Sequence, residues 1–267
     1  MQERELIELA DLNLFEAARE MARWSADSEI SEAFDLLLIA GADPFPVGYA
    51  NAAFAVTASE PSAPQLVIED ARRFFSERKR GYTLWTRSHL DAALQAAAAE
   101  AGLTRVADTP GMALSAPTPD LPLAPGVTFD FVEDSAGARD FAGVAVRAYA
   151  TVGMPIEASS QLFATPERML RPHLIASVAR WDGEPVSAAL AILSHGIAGI
   201  YWVGTAPSHR CRGLGEACTR AVGNAAFARG AASVVLQASR QGEPIYRRMG
   251  YREITRYVWY VDFTVAA

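Results

Sequence analysis

The sequence predicts an α/β protein, of the α+β kind: a mixed, mostly antiparallel sheet with helices on both faces. Three observations predict it. Residues 174–181, 185–193 and 197–203 are apolar, strand-forming stretches in succession, and Asp182-Gly183 between the first two is a strong hairpin signal. The third stretch is followed by a polar loop, a helical apolar stripe and another apolar run at 233–239, the strand–loop–helix–strand order of a crossover. The 267 residues are 51% hydrophobic and 21% charged, which suits a chain with a real core.

Taken in order, residues 6–24 read as an amphipathic helix with Leu9, Leu12, Phe15, Ala18 and Ala22 along one side. Residues 34–40 form a buried strand or a short helix, leading into Gly41-Ala42-Asp43-Pro44-Phe45-Pro46, a turn by composition. Residues 49–57 alternate as a strand does, 59–64 are a loop, and 67–79 are a helix with Phe74 and Phe75 inward. A strand at 82–86 precedes an alanine-rich helix at 90–101 that closes on Gly102. A hairpin is expected across 104–114, turning at Thr109-Pro110-Gly111. Residues 115–125 hold four prolines and are the best linker candidate in the chain.

In the second half, residues 127–133 read as a strand and 135–150 as a helix. Thr151-Val152-Gly153-Met154-Pro155 is a break, the kind of loop that carries substrate contacts. Thr165-Pro166-Glu167 starts a short helix, with proline at its first position. After the three strands, Pro207 ends the ladder. A helix then runs on Leu214, Ala217, Cys218, Ala221, Val222 and Ala225, with Gly230 where a left-handed cap is wanted.

The entrance of that helix carries the chemistry. Arg210-Cys211-Arg212-Gly213-Leu214-Gly215 places two glycines and two arginines where backbone N–H groups lack helical partners. Free N–H groups at the positive end of the helix dipole suit an anion such as a pyrophosphate. The same six residues also suit an ordinary glycine-softened loop ahead of a core helix. A P-loop is excluded, because Glu216-Ala217 follows where Lys-Ser/Thr is required. A dinucleotide fingerprint is excluded too: Cys218 stands at the third glycine, and the next strand carries no acid.

The chain resembles the GNAT superfamily of N-acetyltransferases over its second half. Arg210, Gly213 and Gly215 match the family's Arg/Gln-x-x-Gly-x-Gly/Ala loop, residues 202–205 its preceding strand, and residues 234–239 its following one. Ile245-Tyr246-Arg247-Arg248-Met249-Gly250-Tyr251 is similar to its closing Leu-Tyr-x-x-x-Gly-Phe segment. The resemblance implies the GNAT fold and acetyl-CoA as cosubstrate, transferring acetyl directly to a primary amine of a small molecule or of an amino-acid-like substrate. It further implies that the amides of Arg210, Cys211, Arg212, Gly213, Leu214 and Gly215 hold the pyrophosphate, and that Val203 and Thr205 pair with the pantetheine where two strands splay. Tyr246 stands at the general-acid position, though a packing tyrosine would look the same in sequence. Ser239, with Gln241, replaces the family's usual asparagine near the sulfur. The element order of the first half parallels that of the second. A tandem arrangement follows: a degenerate GNAT-like domain at 1–115, a linker at 116–126, and the acetyl-CoA-binding domain at 127–267. No glycine loop precedes the 67–79 helix, so the first domain is not expected to hold coenzyme A.

A lysine-like amine, pKa about 10.4, needs a base more than an α-amine at about 7.7–8 does. Glu157 and His195 are weak candidates for that base, which stays unassigned. The alternative class is a non-catalytic module that binds or senses acyl-CoA. His89, His173, His195 and His209 form no ligand-spaced cluster, so no metal is expected. Cys211 and Cys218 lie roughly 10 Å apart on a helix of ~1.5 Å rise, beyond disulfide reach. Cys218 reads as core, and Cys211 as contributing its N–H rather than its sulfur. A net charge of −7 argues against nonspecific nucleic-acid binding. The run Arg72, Arg73, Arg78, Lys79 and Arg80 reads as a solvated helix face. A charged start and no membrane-length apolar run suggest a cytoplasmic protein without membrane contact. The sequence does not set the oligomeric state.

Overall fold

The first helix, α1 (Glu3–Ala22), opens with the Glu5 carboxylate accepting from the Gln2 N–H at 3.3 Å, which satisfies one of the orphan donors of a helix start. This computed structural model describes residues 1–25, 27–33, 35–45 and 48–263. Strands β1 (Glu29–Ala33), β2 (Leu36–Ala40) and β3 (Asn51–Ala55) follow, then α2 (Pro64–Glu77), β4 (Tyr82–Arg87), α3 (Ala92–Glu100) and β5 (Thr104–Leu114). The second half runs β6 (Val127–Phe131), α4 (Ser135–Ala150), α5 (Ile156–Leu162), a 3₁₀ turn (Pro166–Leu170), β7 (Leu174–Trp181), β8 (Glu184–Ser194) and β9 (Ile197–Thr205). It closes with α6 (Leu214–Ala228), β10 (Val234–Gln237), α7 (Glu243–Arg248) and β11 (Arg252–Asp262).

Among the described residues, all eleven strands join one mixed sheet in the order β1-β2-β3-β4-β11-β5-β10-β9-β8-β7-β6. Its two parallel pairs, β3 with β4 and β9 with β10, are each bridged by one helix, α2 and α6. The expected mixed sheet between helix layers is therefore what forms. Asp182 and Gly183, with φ of 48° and 86°, make the tight turn between β7 and β8 that their sequence promised.

One local expectation is corrected and others are made definite. Residues 104–114 are one strand, not a hairpin. Pro110 is tolerated because its carbonyl faces β10 and accepts from Ala238 N–H at 2.9 Å, while the β10 ladder begins only at Gly111, so the missing N–H breaks no ladder bond. The 34–40 segment resolves to strand β2, with Phe34 outside the described residues, and β1 before it was not anticipated. Pro46, assigned to a turn, also lies outside the described residues. Helix α5 follows directly after the 151–155 break and was not anticipated.

The crossing of β5 and β11 ties the halves together. Strand β5, from the first half, lies between β10 and β11, and β11, from the second half, lies between β4 and β5. One face of the sheet packs under α1, α4 and α5, with Phe15, Trp24, Phe54, Phe141, Leu190 and Trp202 in a shared core. On the other face, α2 and α3 cover the first half and α6 and α7 the second. Helix α1 spans both halves. Asn13 donates to the Ile192 carbonyl at 3.0 Å and accepts from the Tyr201 hydroxyl at 2.9 Å, and Asp11 accepts from the Tyr257 hydroxyl at 2.8 Å.

Candidate functional site

The site begins as a fault in strand β9. Its register with β8 passes from Gly204 opposite Ala188 to Tyr201 opposite Leu190, so β9 carries one extra residue there. The bulge is at Trp202, whose φ of 53° is unusual for a large side chain. Its other flank pairs with β10 only from Ala198 to Ile200. Beyond Ile200 the two parallel strands no longer pair, and Tyr201, Trp202 and Val203 of β9 line an opening. Gly204 lets this segment seat against α4, because a Cβ there would sit 2.8 Å from that of Ala148.

The opening is a cavity of about 500 Å³. Val203, Ser239 and Tyr246 line it from one side, with Tyr149, Val152 and Met154 closing above and Tyr49, Thr109 and Trp259 beyond. The glycine loop comes nearest to it at Val203, since a Cβ built on Gly215 would lie 3.8 Å from Val203 Cγ1. Gly213 is the N-cap of α6 with φ 77°, and Cys211 has φ 60°, so left-handed residues curl the loop before the helix. The first intrahelical bond runs from Ala217 N–H to the Gly213 carbonyl at 2.9 Å. The N–H groups of Leu214, Gly215 and Glu216 therefore have no acceptor within the helix, which is the arrangement an anion binds. Gly215 holds α6 close to β9, since a Cβ built on it would lie 3.2 Å from Thr205 Oγ1. The helix entrance thus adjoins β9 at Val203 and Thr205, and Val203 lines the cavity together with Tyr246.

The arginines divide. Arg210 spends its guanidinium on the protein: Nε donates to the Thr205 carbonyl at 3.2 Å, and the terminal nitrogen donates to the Ala148 carbonyl at 3.3 Å and to Thr151 Oγ1. It fastens the loop to the end of α4. Arg212 is exposed, with its guanidinium 4.5 Å from the centre of the Trp181 ring. The two cysteines are free, Cys211 exposed and Cys218 buried. Burial pushes the Cys218 thiol up to about 11, which keeps it inert.

Tyr246 is 8% exposed, and burial pushes its hydroxyl up to about 12, opposed by a hydrogen bond with Thr219. It holds its proton across the neutral range. Tyr149, which sequence reasoning missed, is the second phenol here: its hydroxyl donates to the Val203 carbonyl at 3.4 Å, and burial raises its pKa, Tyr246 adding to the effect. No motif surrounds Tyr149, and only the folding of α4 over β9 reveals it. Ser239 lies at the cavity wall, its hydroxyl accepting from Gly242 N–H at 3.1 Å. Neither base candidate reaches the cavity: His195 is exposed in the β8–β9 turn and Glu157 is exposed on α5. The basic run on α2 is largely paired, Arg72 with Asp262, Arg73 with Asp70 and Arg78 with Glu29. Among the described residues there is no group of three or more His, Cys, Asp or Glu that could hold a metal ion, and no helix is long and apolar enough to cross a membrane.

A bulged strand, a parting parallel pair and a glycine-opened helix entrance define the GNAT class of fold, and comparison with known proteins agrees. Residues 147–251 match the acetyltransferase (GNAT) family, and they are a GNAT acetyltransferase domain. The chain is similar in structure to a GCN5-related N-acetyltransferase from Kribbella flavida, with TM-score 0.72, 23% identity and 95% of each chain covered. It is also similar to a GCN5-related N-acetyltransferase from Sphaerobacter thermophilus, with TM-score 0.61, 17% identity, and 85% of this chain and 80% of that one covered. A tandem GNAT protein from the clavulanic acid biosynthesis pathway matches with TM-score 0.58, 13% identity, and 89% of this chain and 84% of that one covered. Comparison with curated proteins finds no significant match.

Proposed function

We propose that the protein is an acetyl-CoA-dependent N-acetyltransferase that transfers acetyl directly to a primary amine of a small molecule or of an amino-acid-like substrate. The observation that carries this reading is that the free amides at the start of α6 adjoin Val203, which lines the same cavity as Tyr246.

The residues fit the cosubstrate. The N–H groups of Leu214, Gly215 and Glu216, with the charge of Arg212 nearby, suit the pyrophosphate. The backbone of Val203 and Thr205 suits the amides of the pantetheine arm, and Ser239 and Tyr246 stand at the far end. The thioester supplies an activated acetyl group with a thiol as leaving group. The chain's contribution is to exclude water, aim the arm and keep a proton at Tyr246 Oη. A thiol has a pKa of about 8.5, so a neutral phenol held protonated is a competent donor to the departing sulfur.

The first half supports a tandem reading. Its β3–α2–β4 crossover repeats the β9–α6–β10 crossover, and its own parting strands are stitched shut: Arg87 on β4 donates to the Thr57 carbonyl beyond β3 at 2.9 Å. We assign residues 1–115 to the degenerate domain, 116–126 to the linker and 127–267 to the catalytic domain, with β5 and β11 exchanged between them. The overall reading is tested by thermal denaturation with acetyl-CoA. Stabilisation that grows with ligand concentration is expected; an unchanged midpoint well above micromolar ligand would overturn it.

A further inference from the structure

The cavity wall is rich in aromatic side chains and carries no charged group among its described lining residues. Tyr49, Tyr149, Tyr201, Trp202, Trp259 and Phe263 line it, and the neutral polar groups of Thr83, Thr109, Gln237 and Ser239 complete it. Among the described lining residues there is no carboxylate, histidine, lysine or arginine. The ionisable groups facing it are phenols, and burial raises the pKa of Tyr49, Tyr149, Tyr201 and Tyr246 alike. The carboxylates nearest in sequence to the lining strands are already engaged. Asp108 accepts from Arg256 Nε at 2.6 Å and also from Arg105, and Asp262 accepts from Arg72 Nε at 2.6 Å.

Such a cavity treats two kinds of amine differently. An alkylamine of pKa about 10.4 is the free base in roughly one molecule in 2,500 at pH 7. Its ammonium form would have to enter an uncharged wall and then lose a proton to a base that the wall does not provide. A ring-bound amine, whose lone pair is delocalised into the ring, enters already as free base and stacks on the surrounding rings. Building on the acetyltransferase reading above, we infer that the acceptor is a weakly basic, planar aromatic amine that binds as its neutral free base. The bond changes balance without a protein base. The amine lone pair forms the C–N bond to the acetyl carbon and the C–S bond breaks. The sulfur takes a proton from Tyr246, the new amide nitrogen releases one to water, and Tyr246 regains one from solvent.

The opposing use of an aromatic wall is a cation cage. Acetylation of aniline and benzylamine, two probes of one ring size, separates the two while acetyl-CoA binding is titrated in parallel. Aniline is expected to exceed benzylamine in kcat/KM at pH 7 by at least about tenfold, with a rate flat between about pH 6 and 8, while the benzylamine rate climbs about tenfold per pH unit. Three results would overturn the inference: a pH-independent benzylamine rate, loss of that rate in Asp108→Asn, or tight competitive binding of phenyltrimethylammonium. If acetyl-CoA binds and neither amine reacts, the acceptor class is wrong and the cofactor reading stands. If acetyl-CoA does not bind, both fall.

Discussion

At the scale of single residues, the proposed chemistry rests on Tyr246. Its hydroxyl is buried in the cavity wall and stays protonated, because a phenolate there would lose its solvation. Tyr246→Phe removes the proton donor and leaves the anion-binding amides intact. The expected outcome is a fall in kcat of about 10²–10⁴ with acetyl-CoA affinity unchanged, read from steady-state kinetics beside calorimetric titration. Gly213→Ala tests the loop. The added Cβ meets nothing within 4 Å, so its cost is backbone strain at φ 77°, about 1–2 kcal/mol of stability, measured by denaturant unfolding. Tyr246 and the glycine loop were readable from local sequence because each chemical role needs its residue type at a fixed spacing. Tyr149, Arg210 and the aromatic wall were not. Tyr149 gains its place from α4 crossing β9, the Arg210 guanidinium ties two carbonyls that only the fold brings near it, and Tyr49 and Trp259 come from segments some 210 residues apart.

At the scale of elements, two crossovers of the same kind have different fates. In β9–α6–β10 the parting strands leave a cavity, and the following helix begins on bare amides. In β3–α2–β4 the helix begins with Pro64, which has no N–H, and Arg87 spans the gap to Thr57 while held by Asp91 at 2.8 Å. One acetyl-CoA per chain is therefore expected. Arg87, Asp91 and Asp11 are all nearly inaccessible. Arg87→Ala should cost about 3–5 kcal/mol of stability, since it leaves buried carboxylates without their cation. Chemical denaturation reads this directly, and a loss under about 1 kcal/mol would show that the acids are solvated after all. Apart from α5, the helices and most strands were legible from their periodicity. The single strand β5 was not, because Pro110-Gly111 carries a turn's composition, and only the neighbouring β10 and β11 show why it stays extended.

At the scale of the whole molecule, the exchanged strands make the halves interdependent. Residues 1–126 alone would lack β11, the strand between β4 and β5, and should give no cooperative unfolding transition. Tyrosine burial on both sides of the sheet sets the alkaline limit. The Tyr246 hydroxyl rises from its ordinary 10 to about 12 on folding, so its contribution is complete below pH 10 and is lost as pH climbs through 12. That contribution is about 3 kcal/mol at 1.36 kcal/mol per pH unit. Tyr201, Tyr251 and Tyr257 are raised by the same cause, so stability should hold through neutral pH and fall steeply above pH 10, as followed by circular dichroism. The mixed sheet was foreseeable from element order, but the position of β5 and β11 was not, since strand exchange leaves no mark on local pattern. The most direct measurement is calorimetric titration of the full chain with acetyl-CoA, repeated on Gly215→Val, whose side chain would crowd Thr205 beside the helix entrance. One site per chain, weakened by the substitution, is the predicted result; no binding, or binding that ignores the substitution, would contradict it.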